Sequence, residues 1–275
     1  MKTRRRLTSI ILSVVMIPLA CLVGLPFYYV VVNTFKTQAD MSTNPLGLPT
    51  NPTLENYVGI FANSPVLLAF ANTLYVTVVA VVLMVVVGSM AAFAMIYRRG
   101  PLATVFSVVL LFAFLIPYQT TIIPLYKMVV GAGAVDTLEG LIAIYLAGSV
   151  FCYFIIVGYM RTVPFEIIEA ARIDGASPFR IYWTIVLPLI RPVLITVSVF
   201  QVMWVWNDYV SPIVFISSTE KVTLVLLAAR AVSEFAVNWP AFMAVTVVVL
   251  IPMVIFFITM QKYIVDGLVG GSVKG

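Results

Sequence analysis

Residues 66–97 contain no charged side chain. That run restricts the fold more than any other feature, because a helix needs about 20 mostly apolar residues to cross the ~30 Å hydrocarbon layer. At ~1.5 Å per residue it makes a helix ~48 Å long, which must tilt or project beyond the bilayer. Similar runs recur at Leu7–Val32, 100–126, 140–160 and Ala241–Met260, and Pro192–Ile216 is interrupted only by Asp208. Six spans result, with the shorter apolar piece Val222–Ala229 read as interfacial or re-entrant. Composition agrees: 10% of residues are charged and 62% hydrophobic, against about a quarter charged in a soluble domain. The expected fold is all-α and polytopic, with residues 1–6 and 261–275 flanking a six-helix domain over 7–260.

Orientation follows from where the basic residues fall. Lys2, Arg4, Arg5, Arg6, Arg98, Arg99, Arg161, Arg172, Arg180, Arg191, Lys262 and Lys274 lie on one side, and only Lys36, Lys127, Lys221 and Arg230 on the other. Loops rich in Lys and Arg stay in the cytoplasm, so both termini are expected there. The first apolar run exceeds the 7–15 residues of a signal-peptide core, so it is expected to remain as span one.

Several chemistries are excluded. The chain has no histidine, and Cys21 and Cys152 sit in separate apolar runs without metal-ligand spacing. This removes His-based triads, His zinc sites and His proton relays. Basic residues interleaved with aromatics, the footprint of a nucleic-acid binder, are missing. No G-x-x-x-x-G-K-[ST] phosphate loop is present, so the chain does not hydrolyse ATP by that route. Asp208 is the one carboxylate well inside a span, which leaves a secondary carrier coupled through Asp208 as the alternative reading. Gly88 and Ala92, one turn apart, permit close helix approach, either within the bundle or to another subunit. Prolines 18, 26, 117, 124, 192, 212 and 252 lie in or beside spans, where they kink helices.

The segment 161–191 carries the most information. Pro164 suits a helix start, Gly175 a helix end, and Ser177-Pro178 the cap and first residue of a second short helix that stops before Pro188. Physical reasoning leaves two uses open: an amphipathic linker on the lipid surface, or a knob that docks into a partner.

The residues in this segment carry a resemblance. E-A-A-R-I-D-G, nine residues, then I-V-L-P, with Glu169, Ala170, Ala171, Gly175, Ile185, Leu187 and Pro188 at the defining positions, resembles the E-A-A loop of binding-protein-dependent ABC importer permeases. I-P-Y-Q-T-T-I-I-P-L-Y (116–126), D-T-L-E-G-L (136–141), W-N-D-Y (206–209) and the final G-G-S-V-K-G are similar to the carbohydrate branch, and within it to the maltose-type second permease subunit.

The resemblance implies the ABC importer type I permease fold and a sugar-translocating subunit with no catalytic role and no cofactor of its own. ATP and Mg2+ would be used by two partner ATPases. The other implied partners are a second permease forming a heterodimer, an extracytoplasmic solute-binding protein and membrane lipid. Glu169 would face the ATPase, Ala170 and Ala171 would allow close approach, and Gly175 would permit the bend. Ile185, Leu187 and Pro188 would anchor the loop to span five. The tail, Gly271, Ser272, Val273, Lys274 and Gly275, would reach between the ATPases. Tyr118, Gln119, Gln201, Trp204, Trp206 and Asn207 are candidates for the translocation path.

Overall fold

The computed structural model describes residues 2–98, 100–234 and 238–270, with no strand among them. In chain order the helices are α1 (Lys2–Asn33), α2 (Gln38–Thr43), α3 (Glu55–Asn63), α4 (Val66–Tyr97), α5 (Pro101–Leu115), α6 (Tyr118–Gly131), α7 (Leu138–Tyr145) and α8 (Ser149–Met160). Then follow α9 (Glu166–Ile173), α10 (Pro178–Ile181), α11 (Leu187–Leu189), α12 (Arg191–Trp206), α13 (Val210–Phe215), α14 (Leu224–Glu234) and α15 (Trp239–Gly270).

Four of these runs are long and apolar enough to cross a membrane: Leu12–Asn33, Val66–Tyr97, Leu138–Met160 and Trp239–Tyr263. Two bent pairs, Pro101–Leu115 with Tyr118–Gly131 and Pro178–Leu189 with Arg191–Trp206, take the count among the described residues to as many as six if each pair is one span. The run 100–126, expected to be continuous, is one of them: α5 and α6 meet at 99°. Pro117 explains the break, since a residue preceding proline is pushed out of the helical region and Ile116 takes φ −74°, ψ 120°. The fifth run is also shorter than expected, because α12 ends at Trp206 and α13 is separate.

The chain divides into two compact units, Met1–Val66 with Ala228–Ile251, and Leu67–Leu227 with Pro252–Gly275. In the first, a hydrogen-bonded cap closes the end of α1. Buried donors need acceptors, and here they are backbone carbonyls close by in sequence. Asn33 donates to the Tyr29 and Pro45 carbonyls, the buried Lys36 ammonium donates to the Asn44 carbonyl at 2.6 Å, and Asn56 donates to the Thr34 and Lys36 carbonyls.

In the second unit α4 packs closely on α8. A Cβ added at Gly88 would lie 2.6 Å from Cys152 Cβ and 2.9 Å from the Ser149 carbonyl oxygen. The open question about Gly88 is thereby answered for this residue: its missing side chain admits α8 of the same chain. Overpacking costs about 1–3 kcal/mol, so Gly88→Val should lower the melting temperature of the detergent-solubilised protein. An unchanged value would mean that the two helices separate without cost.

Loops at the other end of this unit are tied together by Asp136, which occupies the left-handed region at φ 57°. Its carboxylate accepts from the Ser217 N–H, the Ser218 N–H and the Ser218 hydroxyl, each at 3.0 Å, and Lys221 donates to its carbonyl. The Ser218 N–H, foremost among these contacts, holds the carboxyl below its usual 3.8. A carboxyl lowered on folding stabilises fully above its unfolded value and loses that contribution as pH falls through the folded one. The melting-temperature gap between wild type and Asp136→Asn should therefore be constant from neutral pH to about pH 5 and shrink below about pH 4. A gap that does not change with pH would deny the carboxylate's charge a part in the clamp.

Candidate functional site

The segment between α8 and α12 folds as two short helices joined by a tight turn. Helix α9 ends in a Schellman motif: Ala176 N–H donates to the Ala171 carbonyl at 3.0 Å and Gly175 N–H to the Arg172 carbonyl at 3.1 Å. Gly175 takes φ 77°, a region that a residue with Cβ resists. Ser177 Oγ then accepts from Arg180 N–H at 3.3 Å and caps α10.

The second helix does not stop before Pro188. After α10 the chain widens into a π-turn over Tyr182–Val186, closed by Leu187 N–H donating to the Tyr182 carbonyl, and continues through Pro188 as α11. A proline in a regular helix clashes with the carbonyl four residues back, here that of Thr184, and the wider π-turn contains that residue. The sharp turn comes later: α11 and α12 meet across Ile190 with a bend of 78°.

The helix pair has two chemically different faces. Ile168, Ala171, Ile181, Tyr182 and Val186 are buried. Arg172 lies over the Tyr97 ring at 5.0 Å, and Tyr182 packs on Phe93 at 5.5 Å. The opposite face exposes Glu166, Glu169 and Ala170, with Ile173 86% and Phe179 65% exposed. Two large apolar side chains thus stand exposed beside charged ones on this face. Of the two alanines expected to allow close approach, Ala170 is exposed and Ala171 is buried within the chain. Ile185 and Leu187 are half-buried and Pro188 is exposed.

Beyond α12 the backbone breaks at Asn207, and Asp208 organises the break. Its carboxylate accepts from the Tyr145 hydroxyl at 2.8 Å, the Val210 N–H at 3.0 Å and the Ser211 N–H at 3.2 Å. Two of these donors are backbone groups at the start of α13, so Asp208 satisfies helix-end N–H groups that otherwise lack partners. Tyr118 Oη pairs with Ser211 Oγ at 3.0 Å and joins α6 to the same cluster.

Residues 84–269 match the family described as "Binding-protein-dependent transport system inner membrane component". The chain belongs to that family. It is 37% identical over 250 residues to the probable starch degradation products transport system permease protein of Thermoanaerobacterium thermosulfurigenes, covering 90% of this chain and 91% of that one. It is 32% identical over 280 residues to the melibiose/raffinose/stachyose import permease protein of Bacillus subtilis (strain 168), covering 100% of each. The fold superposes with a TM-score of 0.82 on a chain of a bacterial ABC transporter involved in the import of the acidic polysaccharide alginate, at 23% identity and covering 94% of this chain and 96% of that one. The protein is thus a multi-pass inner-membrane permease component.

In this family member the path candidates separate into two groups. Gln119 and Asn207 are exposed, and Trp204 is 46% exposed with its ring edge-on to Tyr145. Gln201 is buried and donates to the Gly148 carbonyl at 2.8 Å, and Trp206 is 6% exposed and meets Phe70 edge-on. The tail residues Gly271–Gly275 lie outside the described residues. Sequence reasoning did not pair Tyr182 of the helix pair, or Arg172, with their partners Ser89, Phe93 and Tyr97 on α4. Their available signal was the spacing of Ser89, Phe93 and Tyr97 at every fourth position on one stripe of α4.

Proposed function

We propose that the chain is the permease subunit of an ATP-driven importer that carries a sugar or oligosaccharide into the cytoplasm by alternating access. The observation that carries this reading is the outward face of α9 and α10, a charged and apolar surface held against α4 by its buried side. The names of the relatives, a starch-product permease and a melibiose/raffinose/stachyose permease, support a sugar cargo. The protein works as a heterodimer with a second permease, two cytoplasmic ATPases that use ATP and Mg2+, and an extracytoplasmic solute-binding protein. It is not itself an enzyme. Both termini and the segment 161–191 lie in the cytoplasm, and the tail 271–275 reaches between the ATPases. Ligand-driven change requires differential affinity for two states; here the ATPase pair, closed or open, supplies it through the docking face.

Gln119, Trp204 and Asn207 offer polar and aromatic surface to a passing sugar, with Tyr118 beside them, while Gln201 and Trp206 shape the helices around them. The carrier alternative asks Asp208 to exchange protons or ions. Asp208's contacts to Tyr145 and to the first turn of α13 fit a capping role better. Asp208→Asn exchanges one acceptor oxygen for an amide, so reduced but measurable uptake that ignores proton and sodium gradients is the expected result.

The testing experiment is uptake in proteoliposomes containing the complex purified through a tag on this chain. ATP hydrolysis and uptake stimulated by at least one sugar of a panel of starch-derived and raffinose-type oligosaccharides, in the presence of the binding protein and with no ion gradient, are expected. Uptake driven by a gradient and indifferent to ATP would replace this reading with the carrier.

A further inference from the structure

The outward face of the helix pair receives a push only if the pair is fastened to the spans. Among the described residues, three side-chain contacts join the pair to α4, and they are unequal. Arg172 over Tyr97 is exposed on its cation side, and exposed cation–π contacts are weak. The Phe93–Tyr182 ring contact, tilted at 44°, is less directional than a hydrogen bond. The third is a buried pair of hydroxyls, Ser89 Oγ and Tyr182 Oη at 2.7 Å, joining residues 93 apart in sequence.

A second contact of Ser89 bears on the direction of that bond. Ser89 Oγ also lies 3.1 Å from the Val86 carbonyl, and a carbonyl only accepts. Either hydroxyl can be the donor of the 2.7 Å bond; with the single serine proton directed to Val86, the Tyr182 hydroxyl donates to Ser89. Tyr182 is also the residue whose carbonyl closes the π-turn with Leu187 N–H. One residue thus holds the wide turn that leads into α12 and the polar link to α4.

We propose that Tyr182 and Ser89 are positioning residues for the coupled transport cycle: their hydroxyl bond passes displacement of the docking face to α4, so that α4 and α12 move together. A displaced loop either carries α4 with it or leaves a buried hydroxyl without its partner, and the second outcome is disfavoured. This inference rests on the importer reading above.

The bond's asymmetry separates transmission from simple stability. Tyr182→Phe keeps the ring and leaves Ser89 bonded to Val86, so it should barely change the melting temperature. Ser89→Ala leaves the buried Tyr182 hydroxyl without an acceptor and should destabilise measurably. The double variant removes both groups and should recover stability toward that of Tyr182→Phe. Coupling should follow a different order. In reconstituted complex, sugar transported per ATP hydrolysed should fall about fivefold or more in all three variants alike, because each lacks the same link.

The measurements are the melting temperature and the transport-to-hydrolysis ratio of purified complex for wild type, the three variants and Glu169→Ala. A wild-type ratio in Tyr182→Phe, or a ratio that merely follows melting temperature across the set, overturns the proposal. If that happens while Glu169→Ala uncouples, the importer reading stands and the link alone fails. If no ATPase accompanies the wild-type chain, both fall.

Discussion

Gly175→Val is expected to abolish sugar-stimulated ATP hydrolysis while leaving the amount of protein in the membrane unchanged. Space is not the obstacle, since a Cβ at Gly175 meets nothing within 4 Å. The obstacle is the backbone. At φ 77° the left-handed conformation costs an L-residue roughly 1–2 kcal/mol, and a β-branched side chain resists it further. The chain relieves that strain by leaving φ > 0, which breaks the Ala176-to-Ala171 and Gly175-to-Arg172 bonds and turns α10 away from α9. Glu169, Ala170, Ile173 and Phe179 then no longer form one surface. Asparagine tolerates this region better than other residues, so Gly175→Asn should retain part of the activity. Equal loss in Gly175→Asn and Gly175→Val would point to a requirement other than backbone conformation.

Gly140→Val is expected to lower the folded fraction of the protein sharply. A Cβ at this position would collide with the Ala134 carbonyl oxygen, a backbone atom, and would crowd Thr137 Oγ1. Thr137 accepts from Gly140 N–H at 2.9 Å and donates to Ala134 at 2.7 Å, so the collision falls on the cap that starts α7. Losing that cap costs about 1 kcal/mol and overpacking against a fixed backbone about 1–3 kcal/mol or more. Together these approach the stability margin of a small domain. The measurement is the fraction of detergent-solubilised protein that runs as a single species on size exclusion; a wild-type profile would contradict the packing at this turn.

Charge-free runs made the membrane helices legible, because the hydrocarbon layer penalises charge wherever it falls in a span. Bends were less legible. Pro117 does break its helix, whereas Pro188 does not, and the difference lies in a π-turn that no local propensity announces. The helix-pair motif was readable because Glu169, Gly175 and Pro188 sit at a fixed local spacing. Its anchors were not, since Ser89 and Tyr182 are far apart in sequence and a serine among aliphatic residues is equally at home bonding its own helix backbone. Ala171 shows the same limit. Two adjacent alanines share a motif, yet a 100° step around the helix buries one and exposes the other. Asp208 stood out as a charge in an apolar run, but its role at the start of α13 appeared only once the break at Asn207 placed two N–H groups against it.

Site-directed crosslinking tests most directly whether the α9–α10 face meets an ATPase. Cys152 is buried and Cys21 exposed, so Cys21→Ser provides a background without an exposed native thiol. Ala170→Cys in that background should form a crosslink to an ATPase subunit through a short thiol-reactive reagent, with the yield falling when ATP turnover is blocked in one state. Ala171→Cys, one residue away and facing the chain's own core, should give none. No crosslink from Ala170→Cys in membranes that retain sugar uptake, or equal yields from the two positions, would contradict the account.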